Sequence, residues 1–249
     1  MKRLISLMIA APLIVACGSD SDSDGTETKL PTLPSLQLRS TNNETANGSL
    51  GLATGFATGA VSALAAYGDS SYSSSGNTET WTYTVEGLTV TLVYTDGSSQ
   101  DSWQLTLDGS DGQTTYSDWL AWSMTQQEAD DSVVMSFYED NSADLEAQVE
   151  ASEDRVKLDS YDGGALDSTI VVVVDSETSG RLLTQDAGEQ ITAFTWSGDD
   201  QVATYFNCGT NMTVLETAVL PGELCSTALA EREFEKVAQP VAEAAPEKF

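Results

Sequence analysis

The sequence predicts a mainly β domain, an antiparallel meander of about ten strands that forms a curved sheet, a barrel or a half-barrel. Apolar and polar residues alternate with a period of two over about 130 residues after Glu79. Turn pairs such as Asp96-Gly97 and Gly163-Gly164 separate the alternating runs. Connections this short indicate antiparallel neighbours, because a parallel pair needs a long crossover.

Each alternating run places large apolar residues on one face and Thr, Ser or charged residues on the other. Trp81 and Tyr83 alternate with threonines in the first run. The later candidate strands are Leu88–Thr95, Trp103–Leu107, Thr114–Met124, Ser132–Tyr138, Asp144–Val149, Arg155–Asp159, Ser168–Asp175, Gly180–Gln185, Gln190–Ser197 and Gln201–Asn207. The Ile170–Val174 run is apolar on both faces, which predicts a strand that is covered on both sides.

Leu50–Tyr67 is predicted to be an N-terminal helix of small residues. Three glycines and Ala63 recur at intervals of four, beside an apolar row that includes Phe56. Each interior glycine costs about 1 kcal/mol of helix stability relative to alanine, so something must pack on this helix. It either docks on the sheet as core or plugs or lines a ligand cavity.

The N-terminus has the layout of an export signal. Lys2 and Arg3 precede the apolar run Leu4–Ala16, which ends in a small residue directly before Cys17. The four residues Ile-Val-Ala-Cys resemble the lipobox of bacterial lipoproteins, a resemblance that covers residues 1–17 alone. It implies a thioether-linked diacylglycerol on Cys17, cleavage before that residue and acylation of the new N-terminus. An ordinary signal peptide with an incidental cysteine is the alternative.

The lipobox resemblance also implies a location. The apolar run is shorter than the about 20 residues that a membrane-spanning helix needs, so acyl chains would anchor the protein. In enterobacterial lipoproteins an aspartate after the cysteine signals inner-membrane retention, whereas Gly18 stands there in this chain. We therefore expect a lipid-anchored protein of the cell envelope, with the outer membrane favoured and the membrane as its partner through Cys17.

Four segments organise the chain. They are a signal peptide (1–16), a lipidated and disordered acidic tether (17–49), a single β-rich domain (50–238) and a flexible tail (239–249). The tether assignment rests on alternating Ser and Asp residues followed by Pro31 and Pro34.

Two features lie beyond the last predicted strand. Cys208 and Cys225 are expected to form a disulfide, because exported proteins mature in an oxidising compartment. A loop of that length adds about 3 kcal/mol of stability. Ser226 is then predicted to cap a short C-terminal helix that runs through Val237.

The charge balance excludes nucleic acid as a partner. The chain has 10 Lys and Arg against 39 Asp and Glu, a formal net charge of −29. Removal of residues 1–16 takes away two of the basic residues and moves this charge to −31. Between Arg39 and Arg155 there is no basic residue, and such a surface repels phosphate backbones. The acid excess fits either a saline habitat or a cationic partner.

The composition offers little for catalysis. The chain has no histidine, which excludes His-based triads and His zinc sites. Of its 3 cysteines one is assigned to lipid, whereas thiolate zinc sites usually need four ligands. Nucleophile and phosphate-loop motifs are absent, which leaves a carboxylate pair as the remaining chemistry. The sequence therefore predicts a protein that is not an enzyme and uses no cofactor or metal.

Aromatic residues are the candidates for ligand binding. Trp119 and Trp122 cannot point the same way within one regular strand, so one of them is expected to be an exposed platform for a sugar or an apolar ligand. Phe56 on the predicted helix is the third candidate.

Three functional hypotheses follow. The leading one is non-catalytic binding or carriage of an apolar or amphipathic ligand on the concave face of the sheet. A curved sheet closed by a helix also describes the periplasmic lipoprotein-carrier fold, an analogy of architecture without matched residues. The alternative is a cell-surface or envelope-assembly module that binds protein or glycan, and the third is a carboxylate-pair hydrolase.

Overall fold

The computed structural model describes residues 38–43, 45–51, 71–198, 202–207 and 227–233, the last two ranges as backbone. These residues form one helical segment, α1 (45–51), and thirteen strands. The strands are β1 (Ser71–Ser75), β2 (Thr78–Val85), β3 (Leu88–Thr95), β4 (Gln100–Ser110), β5 (Thr115–Gln127), β6 (Val133–Tyr138), β7 (Leu145–Ser152), β8 (Arg155–Asp162), β9 (Ala165–Ser176), β10 (Ser179–Asp186), β11 (Thr192–Ser197), β12 (Val202–Asn207) and β13 (Thr227–Glu233).

The thirteen strands pair in sequence order as one antiparallel meander, in which β1 and β13 are the outermost of the described strands. The sheet is curved and open. The predicted mainly β meander is therefore confirmed, with more strands than the expected ten. No helix within the described ranges is long and apolar enough to cross a bilayer.

One face of the sheet, the apolar face, carries a continuous core. A register row runs across five strands, from Trp81 through Leu92, Leu105 and Trp122 to Phe137. All five side chains are buried, at 7% exposure or less. The five tryptophans of the chain all belong to this one cluster, so all five lie on the apolar face.

The opposite face, here the second face, changes character along the sheet. Across β2–β4 it carries threonine and other polar residues that are partly or fully exposed. Across β9–β11 it is apolar and buried, with Val171, Val173, Leu183 and Ala193 at 5% exposure or less. The predicted burial of the Ile170–Val174 run on both sides is confirmed for its four valines.

Two strands lie where the sequence predicted other structure. β13 occupies residues assigned to the C-terminal helix that begins at Ser226, so that prediction is wrong. Its Ala- and Glu-rich sequence has helical propensity, but backbone pairing with the edge of β12 overrides this preference. β1 lies within Gly68–Thr78, a stretch whose Ser, Gly and Asn content predicts a linker. Gly76, with a φ of +63°, helps turn the chain into β2.

The segment ahead of α1 is attached to the ends of the sheet strands. The Arg39 guanidinium donates hydrogen bonds to the backbone oxygens of Val174 and Asp175, at 3.2 and 3.1 Å. The Thr41 hydroxyl donates to the backbone oxygen of Glu177 at 2.9 Å. These bonds tie the incoming chain to the β9–β10 hairpin.

α1 itself lies on the apolar face. It is capped by Asn43, whose side-chain oxygen accepts a hydrogen bond from the backbone N–H of Ala46 at 3.0 Å. Ala46 and Leu50 are buried in the apolar cluster. The predicted tether therefore does not extend to residue 49, since its described part packs on the sheet. α1 overlaps the predicted helix Leu50–Tyr67 at residues 50 and 51, and residues 52–67 of that prediction lie outside the described ranges.

Candidate functional site

Of the site residues that the sequence predicted, the described part of the chain contains two. Trp119 is 7% exposed and Trp122 is 5% exposed, so the expectation that one of them is an exposed platform is wrong. Cys17, Phe56, Cys208 and Cys225 lie outside the described residues, and their assignments stay predictions.

A β-bulge in β5 explains why both indoles are buried. Leu105 on β4 pairs with Trp122, and Leu107 pairs with Trp119, so two steps along β4 match three steps along β5. The additional residue, Ala121, is absorbed at the bulge and shifts the side-chain alternation by one position. Both tryptophans consequently point to the apolar face, against a prediction that assumed a regular strand.

The best candidate site is a cleft between the start of β5 and the turn that joins β6 to β7, here the β5–β7 cleft. It has a volume of about 370 Å³ and is lined by Ser117, Asp118, Trp119, Leu120, Tyr138, Asn141, Ser142 and Ala143. Hydroxyl, carboxylate and amide groups thus lie beside an aromatic ring and two aliphatic side chains. A few polar groups set among apolar ones are typical of a small-molecule site.

The backbone at the cleft has an unusual conformation on both sides. Asp118 and Asn141 have φ values of +47° and +56°, and they are two of the four non-glycine residues with positive φ in the described chain. The Asp118 backbone N–H donates to Asp108 Oδ1 at 3.4 Å, and Asn141 Nδ2 donates to the Thr115 backbone oxygen at 2.9 Å. The Asp118 backbone and the Asn141 side chain are therefore held in place by local hydrogen bonds.

Trp119 connects the cleft to the apolar face. Its indole Nε1 donates to the backbone oxygen of Ser142 at 3.2 Å, across the cleft wall. Its ring stacks on Tyr116, with centroids 5.2 Å apart and planes at 15°. Burial, together with the charges of Asp140 and Asp111, raises the pKa of Tyr116. Its hydroxyl stays protonated and donates to Asp111 at 3.3 Å, which fixes the ring that supports Trp119.

A second cleft, of about 450 Å³, lies beside the β9–β10 hairpin. Its lining residues are Asp175, Ser179, Gly180, Arg181, Thr195, Trp196 and Ser197. Arg181 Nη1 donates to both carboxylate oxygens of Asp175, at 2.9 and 2.8 Å. The two charged groups that line this cleft, Arg181 and Asp175, are therefore engaged with each other.

An acidic cluster is formed by the start of β4 and the turns that follow β3 and β5. Carboxylate oxygens of Asp96, Asp101 and Glu128 lie within 4.8 Å of one another, and Asp96 and Glu128 are exposed. Burial, followed by the charge of Asp101, raises the pKa of Tyr94 to about 12. Three carboxylates, two of them exposed, do not by themselves make a cation site on a surface this acidic.

A buried polar network crosses the second face of β7–β9. Lys157 Nζ lies 2.7 Å from Asp159 Oδ2 and 3.5 Å from Glu150 Oε1, and Thr169 donates to Asp159 at 2.6 Å. Burial lowers the pKa of Lys157, but the hydrogen bonds and charges of Asp159 and Glu150 outweigh it and leave that pKa raised. Lys157 compensates the charge of the buried Asp159, so the network serves the fold.

Sequence reasoning missed the polar residues of the β5–β7 cleft. Asp118 lies within the predicted strand Thr114–Met124, where alternation gives no sign of a left-handed residue. Asn141 lies in a short polar turn, and asparagine in a turn is a recognised signal for positive φ. That signal could have marked one side of the cleft.

Comparison of the chain with protein-family models, with curated proteins and with solved structures found no match.

Proposed function

We propose that this protein is a non-catalytic binding module of the cell envelope, held at a membrane by lipid on Cys17. The anchor follows from the lipobox resemblance of residues 1–17. The contacts of Arg39 and Thr41 support a tethered module, because they join the chain that leaves the tether directly to the sheet. The outer membrane is the favoured location.

We favour surface binding over carriage of a cargo because the apolar face of the sheet is already filled by side chains. Trp103 and Phe137 are 3% and 7% exposed, and Ala46 and Leu50 of α1 belong to the same cluster. A carrier of apolar cargo needs an apolar cavity, whereas the two clefts described above open at the surface and are partly polar. Recognition of an envelope protein or a glycan at the surface fits this arrangement better.

Carriage of an apolar or amphipathic ligand is the second candidate. Carriage is favoured because α1, which lies on the apolar face, is short. It contributes two buried residues, Ala46 and Leu50, to the cluster. Displacing so short an element would open part of the apolar face. A carboxylate-pair hydrolase ranks third, because in the Asp96–Asp101–Glu128 cluster Asp96 and Glu128 are exposed, whereas a catalytic pair works in a cleft that excludes water.

Native mass spectrometry of the full chain, purified in detergent from the membranes of producing cells, tests the proposal. A surface module should give the mass of the lipidated chain alone. A carrier should give an additional, reproducible mass that dissociates at higher collision energy. Protein extracted in a second detergent is the control, since a true cargo keeps its mass and a detergent adduct does not. A stoichiometric apolar cargo in both preparations would contradict the proposal.

A further inference from the structure

We propose that the β5–β7 cleft binds a neutral sugar unit of an envelope glycan. This inference rests on the proposed function, because it names the ligand of a surface binding module. The volume of about 370 Å³ falls at the lower end of the range for small-ligand sites, about 300–1,000 Å³, which suits a monosaccharide unit.

The lining of the cleft complements both sides of a sugar ring. A sugar presents hydroxyl groups around its rim and an apolar patch of C–H groups on its face. Asp118 is exposed and accepts hydrogen bonds, and the hydroxyls of Ser117 and Tyr138 both donate and accept them. Leu120 and Ala143 offer aliphatic contact to the ring face.

The frame of the cleft is also preorganised. The hydrogen bonds that shape the cleft use the Asp118 backbone N–H, the Asn141 amide group and the Trp119 indole. The Asp118 carboxylate takes no part in these three bonds. It can therefore accept a hydrogen bond from a ligand hydroxyl while the bonds that shape the cleft stay intact. A site that is fixed before binding loses less free energy to ordering.

The negative charge around the β5–β7 cleft determines which sugars it can bind. Asp108 and Asp118 lie at the cleft, Asp140 acts on neighbouring Tyr116, and no basic residue occurs between Arg39 and Arg155. Phosphorylated or acidic glycans would be repelled by this field. A neutral sugar does not incur this repulsion, and its hydroxyl donors match the acceptor-rich lining.

The Trp119 indole provides a spectroscopic reporter, because its N–H donates to the Ser142 backbone oxygen in the cleft wall. The ¹⁵N-labelled full chain in detergent micelles is titrated with maltotriose, cellotriose and chitotriose, and the five indole resonances are followed. The Trp119 resonance is identified with a Trp119→Phe variant. At least one sugar should shift it saturably, while Trp81 and Trp196, three and six strands away, stay in place.

A pair of matched variants tests the carboxylate. Asp118→Asn removes the charge but keeps a residue that tolerates positive φ, and it should weaken binding about tenfold or more. Asp131→Asn is the control, because Asp131 is exposed, has a φ of +55° and lies outside the cleft. It should bind as wild type does.

Two results would overturn the sugar site as described. One is no Trp119 shift with any of the three sugars, which would leave the envelope module with a protein partner. The other is unchanged sugar binding by Asp118→Asn, which would contradict the role of this carboxylate. Detection of a bound apolar cargo by mass spectrometry would instead contradict the proposed surface module, and it would leave the result of the sugar titration unchanged. Failure of the sugar site and failure of the proposed function can therefore be told apart.

Discussion

Lys157 and Asp159, two positions apart on β8, form an ion pair on the second face of the sheet, with 2.7 Å between Nζ and Oδ2. Both project to the same side because alternation along a strand has a period of two. The Lys157 side chain is 18% exposed and that of Asp159 is 5% exposed. Asp159 is therefore a buried carboxylate that depends on its neighbours for charge compensation.

Replacing Lys157 with methionine should leave this carboxylate without its cation. We expect a loss of about 2–4 kcal/mol in the free energy of unfolding, somewhat below the cost for a fully buried pair because Lys157 is partly solvated. The double variant Lys157→Met/Asp159→Leu should recover most of the loss, since apolar residues often replace such a pair without penalty. Urea unfolding measures both, and a double variant less stable than the single one would contradict this reading.

Gly180 lies beneath the indole of Trp196, and a side chain there has no room. A Cβ at this position would overlap two ring carbons of Trp196 and the backbone oxygen of Val173. Gly180→Ala should therefore destabilise the protein by about 1–3 kcal/mol. Gly48→Ala in α1 is the matched control, because a Cβ there meets nothing within 4 Å. It should stabilise by about 0.5–1 kcal/mol, and equal thermal shifts in both variants would argue against the packing described.

Glu146 should make stability fall as pH rises. Burial, together with the charges of Asp140 and Glu139, raises the pKa of Glu146 above its ordinary value of 4.5. The folded chain then holds this proton more tightly than the unfolded chain, so stability is lost as pH rises from the ordinary value through the folded-state pKa. Glu146→Gln should stabilise at neutral pH and change little below about pH 4. Urea unfolding across this pH range checks it, and a variant destabilised at neutral pH would refute it.

The fold could be predicted from the sequence because alternation records which residues face the core. The predicted strand Leu88–Thr95 coincides with β3, and Gly163-Gly164 turns the chain between β8 and β9 as expected. A period-two pattern survives in the sequence wherever one face of a sheet is buried.

Local exceptions to that pattern could not be predicted. The bulge at Ala121 reverses the alternation of Trp119 relative to Trp122, and a sequence does not mark where an additional residue is absorbed. β13 forms through pairing with β12, which composition alone does not reveal. The β5–β7 cleft depends on the left-handed conformation of Asp118, which tertiary hydrogen bonding supports.

A disulfide between Cys208 and Cys225 is expected in the exported protein, because export delivers the chain to an oxidising compartment. Peptide mapping under non-reducing conditions should recover the crosslinked pair, and reduction should lower stability by about 3 kcal/mol. Two free thiols that react with an alkylating agent, in protein recovered from the cell envelope, would show that the pairing is wrong.

The central claim, a sheet held at a membrane through Cys17, is tested most directly by metabolic labelling with an alkyne analogue of palmitate, followed by membrane fractionation. The wild-type chain should carry the label, begin at Cys17 and fractionate with membranes. Cys17→Ser should remain an uncleaved precursor without label and lose stable membrane association, while the control Cys208→Ser keeps the label. Label of equal intensity in Cys17→Ser and wild type would contradict the account.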